Sequence, residues 1–335
     1  MKHGLLVLLA LTVLVGCGPT KSMSQTSDGA TLSESQRLNQ WLDGEFETYL
    51  DFSPMSKTRL GDKSDYDKLD DPSDAAADAR LAWRRVSVAS LKAEFDRDAL
   101  EPEAKRSYDL WVFMLDRAEA SLPYRRHEYV FGRNGPHTGL PNDLINYHKV
   151  DSASDMQAYI ARLKASAGYF DAYLNRAKLA AAAGIRAPYF DYDVAMSQIQ
   201  RVTRGAPFTG EGTSALWADI TAKVDALVLA ESITAVEAEA LKAEAKTAIL
   251  QSMEPAYDRI NAWLEADRDN LPDTATGAWA LPEGAAFYAY RLKQMTTLPL
   301  TAEAIHQTGL DEVTRIQTEM NAIRESVDFK GSLQD

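Results

Sequence analysis

Five histidines, one cysteine and a cluster of arginines are the residues from which chemistry could be built in this chain. A helical zinc site needs two imidazoles one turn apart with a glutamate placed as general base, the pattern H-E-x-x-H. His127-Glu128 supplies the first two positions, but the fifth is Phe131 and the next histidine is His137. His3, His148 and His306 add no ligand spacing, so no metal ligand is assigned. No G-x-S-x-G elbow is present, and no catalytic residue is assigned, since Ser/His/Asp groups assemble only in space. Glycines at 132–139 and 205–212 follow no strand and read as turns, not phosphate loops. His306 lies three residues before Gly309 on a capped helix, and reads as a packed or hydrogen-bonded histidine with Gly309 admitting a close neighbour.

The segment 122–150 collects Arg125, Arg126, His127, Arg133, His137 and His148. It has two readings. Its arginines could form the wall of a substrate cleft, where a guanidinium grips a carboxylate through two parallel hydrogen bonds. They could equally satisfy carbonyls and surface carboxylates, and an acidic chain offers many such partners. The formal net charge of −13 argues against a nucleic-acid partner, which needs clustered Lys and Arg.

These side chains must be positioned by helices. Hydrophobic residues make up 45% of the 335, enough for a sizeable core, and charged residues 25%, which sets the chain among ordinary folded proteins. Ser33-Glu34-Ser35-Gln36 has the form of a capping box, followed by Leu38, Trp41, Leu42, Phe46, Tyr49 and Leu50 at helical spacing. Gly61 to Asp74 reads as a loop. A second helix follows from about Ser73 to Phe95, and a third starts near Pro102 and turns Tyr108, Trp111, Met114 and Leu115 inward. The spacing then predicts an irregular segment with a short helix at Pro141 to Tyr147. A helix opened by Ser154-Asp155-Met156-Gln157 should stop at Gly184, and another should run to about Arg204. Further helices are predicted over Thr213 to Leu229 and from Thr234 past Met253, where Pro255 should kink or restart the helix. Leu310, Val313, Ile316, Met320, Ile323 and Val327 form a last helical stripe, read as core. No alternating segment of useful length appears, so the expected fold is all-α, without an internal repeat.

The N-terminus carries a different signal. Met1-Lys2-His3 is a short basic start, and Leu5 to Val15 is an apolar run. That run is too short to span a bilayer, which needs about twenty residues. Leu14-Val15-Gly16-Cys17 follows, and it resembles a bacterial lipoprotein box. Residues 1–16 are therefore expected to be a lipoprotein signal peptide. Cys17, the single cysteine, would be the lipidated residue and the link to the membrane. Residues 17–31 would be a flexible Ser/Thr/Gly/Lys-rich tether, and 32–335 a helical domain, incomplete at its C-terminus. Gly18, in place of Asp, resembles the pattern sent to the outer membrane and facing the periplasm.

Several motifs together resemble the bacterial family called domain of unknown function 885. They are Leu281-Pro282-x-Gly284 with Tyr288, Thr296-Thr297, and Thr301-x-Glu303-x-Ile305-His306-x-x-Gly309-Leu310-x-Glu312-Val313. Upstream, Tyr159-Ile160-Ala161-Arg162-Leu163, Gly184-Ile185-x-x-Pro188 and Pro255-Ala256-Tyr257 agree. The resemblance implies a multi-helix array like the N-terminal half of a helical zinc metallopeptidase. In full-length relatives it implies a metal motif C-terminal to the segments matched here, so zinc is expected only in such a relative and no cofactor in this chain. The resulting expectation is the N-terminal portion of an exported, lipid-anchored, zinc-metallopeptidase-like protein. It would form part of a peptide cleft and be inactive alone, with Tyr288, Arg291, Arg133 and His127 as cleft-facing candidates. The alternatives are a non-enzymatic helical lipoprotein that binds a peptide or envelope partner, and an inert fragment.

Overall fold

The computed structural model describes residues 32–334, so the signal segment, Cys17 and the tether lie outside the described residues. The all-α expectation holds. Among the described residues, twelve α-helices run in order as α1 Glu34–Leu50, α2 Pro54–Leu60, α3 Asp74–Glu94, α4 Pro102–Ser121, α5 Pro136–Tyr147 and α6 Ala153–Ala182. They continue as α7 Tyr189–Val202, α8 Ala215–Leu229, α9 Ala235–Ala248, α10 Glu254–Arg268, α11 Gly284–Thr296 and α12 Ala302–Ser326. A short ribbon, β1 Arg204–Ala206 and β2 Thr209–Thr213, interrupts them where only a turn was expected.

Local chemistry sets most of the boundaries. Ser33 and Gln36 satisfy each other's backbone amides at the start of α1, and Thr234 and Glu237 do the same for α9. The expected cap of α6 is displaced by two residues. The hydroxyl of Ser152, not Ser154, accepts from the Asp155 amide at 3.2 Å. The Asp155 carboxylate instead accepts from the Asp151 amide and from Lys63, both at 2.9 Å. Helix α5 starts at Pro136, five residues before the expected Pro141, and Pro141 lies inside it. A proline there cannot donate to the carbonyl four residues back. Tyr257 supplies the missing donor, its hydroxyl reaching the His137 carbonyl at 2.7 Å. The α9–α10 junction is a π-helical stretch, Ile249–Met253, and Pro255 lies in the first turn of α10, so the proline restarts the helix.

The principal core is built around α6. Met156, Tyr159, Ile160, Leu163 and Phe170 are completely buried, facing α8, α9, the π-helical stretch and α10. A second, smaller core joins α1, α3 and α4 through Leu38, Leu91, Phe95, Leu100 and Tyr108, with Trp41 and Trp111 packed against it. Met114, expected inward on α4, is exposed, because its face of the helix borders an open cleft.

Arg162 links the 54–70 segment to α6. Its guanidinium is fully buried and donates to the Lys68 carbonyl at 2.8 Å, the Thr58 hydroxyl at 2.6 Å and the Asp65 carbonyl at 3.3 Å. It also donates to Nδ1 of His148 at 3.0 Å, and the Nε2–H of His148 donates to the Asp155 carbonyl at 3.0 Å. The loop that ends this segment leads directly into α3.

The C-terminal stripe departs from expectation. Leu310, Val313, Ile316, Met320, Ile323 and Val327 lie along one face of α12 and its C-terminal cap, but each is between 44 and 67% exposed. Among the described residues nothing covers them. Beyond the backbone of α12 itself, no described atom lies within 4 Å of a Cβ built on Gly309, and His306 is exposed instead of packed.

Candidate functional site

A concavity of about 620 Å³ lies where α3 and α4 approach the later part of α6 and the start of α11. That is within the range of ordinary ligand sites, roughly 300–1,000 Å³. Apolar and aromatic surface comes from Leu81, Leu110, Phe113, Met114, Phe287 and Tyr290. The rest of the wall is strongly basic: Arg80 and Arg84 on α3, Arg117 on α4, Arg125 after α4, Arg176 on α6 and Arg291 on α11.

Aromatic packing positions the α11 wall. Tyr124 stacks on Tyr290 with ring centres 4.7 Å apart, and the His127 ring lies 4.6 Å from Phe287. Nε2 of His127 is 2.7 Å from the Pro282 carbonyl oxygen, so the imidazole N–H is placed to donate to it. Gly284 opens α11 at a point where a Cβ would sit 2.1 Å from the Ala278 carbonyl oxygen, so only glycine fits.

The charges fall into two groups. Arg125 pairs with Asp78 and Arg176 with Glu128, and the Asp78 carboxyl is held below the usual carboxylate range by its hydrogen bond to Arg125. Arg80, Arg84, Arg117 and Arg291 have no carboxylate or hydrogen-bond acceptor among the described residues. Arg84 is the most enclosed, with 7% of its surface exposed. Its guanidinium carbon lies 5.8 Å from the Tyr49 ring centre, 5.5 Å from Trp83 and 5.7 Å from Trp111, and its Nη1 is sealed without an acceptor. Desolvation, with Arg80 adding repulsion, pushes its pKa below the ordinary arginine range. Ring faces attract a cation but leave its N–H donors unused.

Of the four residues the sequence proposed, His127 and Arg291 line this cleft. Tyr288 is 49% exposed on α11 and does not line it. Arg133 is exposed on the segment before α5, where its backbone carbonyl accepts from Gln198 at 2.8 Å, and it too lies away from the cleft. His137 and His148 are buried in the protein interior, and burial lowers the pKa of each, that of His148 to about 3. Sequence reasoning missed Arg80, Arg84, Arg117 and Arg176, because a charged residue on an amphipathic helix normally marks the solvent side. One signal was available: Arg80 and Arg84 are like charges one helical turn apart, an unfavourable spacing unless something compensates it.

Among the described residues, no three His, Cys, Asp or Glu side chains converge to hold a metal ion. His127 is directed at a carbonyl and Glu128 at Arg176, so this pair does not form the start of a zinc site. The zinc that the family resemblance attaches to longer relatives does not fit the residues present, and no chemical step is derived through it.

Fold and site together define an all-α protein with an arginine-lined cleft. The chain belongs to the bacterial protein family of unknown function DUF885, whose family model matches residues 54–335. Its fold resembles that of a candidate lipoprotein from Colwellia psychrerythraea, with a TM-score of 0.72 at 19% identity over 90% of this chain and 53% of the other. It also resembles a candidate lipoprotein of unknown function from Shewanella oneidensis, with a TM-score of 0.60 at 17% identity over 90% of this chain and 50% of the other. The chain thus spans about half the length of these solved structures. No curated protein matches it.

Proposed function

We propose that this chain forms one wall of a peptide-binding cleft in a lipid-anchored protein of the cell envelope, and that it works as the N-terminal portion of a longer, metallopeptidase-like protein. The observation that carries the cleft is the joining of an aromatic wall to four guanidinium groups that have no carboxylate or hydrogen-bond acceptor among the described residues, in one 620 Å³ space. Apolar rings suit peptide side chains, and guanidinium forks suit carboxylates and carbonyls. The lipid anchor rests on Cys17 and its preceding apolar run, and the descriptions of the two solved relatives accord with it. A Cys17→Ala chain should move from the membrane fraction to the soluble one, and persistence in the membrane fraction would contradict the anchor.

The exposed stripe on α12 supports a longer working protein. A continuous apolar helix face of this kind normally meets a partner surface, and the longer relatives have a second half to supply one. The purified 335-residue chain should therefore bind a hydrophobic dye and self-associate as its concentration rises. Val313→Lys with Met320→Lys should lower dye fluorescence several-fold and shift the chain toward monomer. Because both sites are exposed, unfolding stability should change by only about 0.5 kcal/mol. A monomeric parent chain that binds no dye would count against the docking role.

Peptide binding itself is testable by calorimetric titration of the chain with short peptides, comparing the parent with His127→Ala, which removes a cleft-lining ring. The peptidase reading and the purely binding reading share this cleft and differ in turnover. Hydrolysis by the longer protein supports the first, and bound but intact peptide supports the second.

A further inference from the structure

We infer that the occupant of this cleft is acidic: a peptide presenting carboxylates, from side chains or from its C-terminus, to Arg80, Arg84, Arg117 and Arg291. This rests on the peptide reading above and goes beyond it by naming the chemical class.

The chain has 49 acidic and 36 basic residues, so most arginines should find a carboxylate. Outside the cleft most do: Arg97 grips Asp109, Arg85 grips Glu119, Arg259 grips Asp171, Arg268 grips Asp193 and Arg186 grips Asp267, each through two nitrogens. The cleft departs from this rule. It gathers six arginines against a single lining carboxylate, Glu128, which is already engaged by Arg176.

Arg84 supplies an independent observation. A cation that is 7% exposed, ringed by Tyr49, Trp83 and Trp111 and lacking any hydrogen-bond acceptor, is costly to keep in the free protein. Arg80 on the same face raises that cost by repulsion. A carboxylate entering the cleft would offset both effects. The guanidinium fork prefers a planar, two-oxygen partner over a single carbonyl. The neighbouring Leu81, Phe113 and Phe287 surface gives the rest of a peptide something to cover, which a small inorganic anion could not use.

The test is calorimetric titration of the full chain with four ligands and inorganic phosphate. The ligands are a hexapeptide with two Glu residues, the same peptide with Gln in their place, and the C-terminally amidated form of each. The Glu peptide should bind at least ten-fold more tightly than the Gln peptide, or each free-acid peptide ten-fold more tightly than its amide. The first outcome assigns the carboxylates to side chains and the second to the C-terminus, and both support the proposal. Raising the salt concentration should erode the advantage. The double substitution Arg117→Gln, Arg291→Gln, at exposed positions where folding is not at stake, should remove about ten-fold of the binding of the carboxylate-bearing peptide while changing the neutral one less than two-fold. Equal affinity for all four peptides overturns the acidic class and leaves the peptide reading standing. Binding of phosphate alone, or of nothing, overturns both.

Discussion

Replacing Arg162 with Met should lower unfolding stability by about 3 to 5 kcal/mol, seen as a fall in the urea midpoint with little change in slope. The side chain is of similar length, so the loss is not mainly one of volume. It comes from acceptors that lose a charge-assisted donor in a dry interior. The Lys68 and Asp65 carbonyls and the Thr58 hydroxyl each lose their guanidinium bond, and Nδ1 of His148 loses the donor at 3.0 Å. Burial lowers the Arg162 pKa to about 10, so the group remains a cation at neutral pH and its hydrogen bonds are charge-assisted. Arg162→Lys should recover only part of the loss, because one ammonium cannot reach acceptors that a fork spans. A fall below about 1 kcal/mol in the Met variant would show that these acceptors find water or other donors. The effect should also reach the cleft. The loop held by Arg162 runs into α3, which carries Arg80 and Arg84, so peptide affinity should weaken with stability.

The second large effect should come from acid. His148 is 1% exposed, and burial, reinforced by the charges of Arg162 and Lys223, pushes its pKa down to about 3 from the ordinary 6.5. The unfolded chain therefore binds this proton throughout the interval where the folded chain does not. Stability contributed by neutral His148 is fully present above pH 6.5 and is lost as pH falls toward 3. The loss should approach about 1.4 kcal/mol per pH unit, or roughly 2 to 3 kcal/mol between pH 6.5 and 4.5. His137, lowered by burial in the same way, adds to the slope. Carboxylates held low by partners, such as Asp65 through Lys57 and Asp74 through Arg126, contribute only at more acidic pH. Urea unfolding at half-unit steps would measure the slope. In His148→Gln, which places a neutral amide there at every pH, the slope should fall by nearly one proton even though the variant is less stable at pH 7. An unchanged slope would exclude His148 as the group responsible.

Much of the architecture was legible in the sequence because it is decided locally. The capping residues Ser33 and Thr234, the loop from Gly61 and the Gly184 stop each act within a few residues of themselves, and the structure retains all of them. The buried face of α6 could be read from its periodicity for the same reason. The errors arose where a distant residue altered the local rule. Pro141 should have opened a helix, but Tyr257 hydrogen-bonds the carbonyl that the proline leaves free, so α5 begins five residues earlier. Close packing also matters there: a Cβ on Gly135 would lie 2.6 Å from Nδ1 of His137. The α12 stripe has the spacing of a core helix, but periodicity shows only that a face is apolar and not what covers it.

The cleft shows the same division. The sequence by itself determined an all-α chain, the presence of a basic segment around His127, the family motif near Leu281 and an N-terminal start like that of a lipoprotein. Tertiary structure alone decided that Arg291 faces the cleft and neighbouring Tyr288 does not, and that Arg80 and Arg84 on α3 join Arg117 and His127 there. Apart from the one-turn spacing of Arg80 and Arg84, nothing local to those arginines distinguishes them from Arg85, which pairs with Glu119 on the outer surface. Whether a guanidinium meets a carboxylate depends on which helix lies opposite, and that is set by the packing of whole faces.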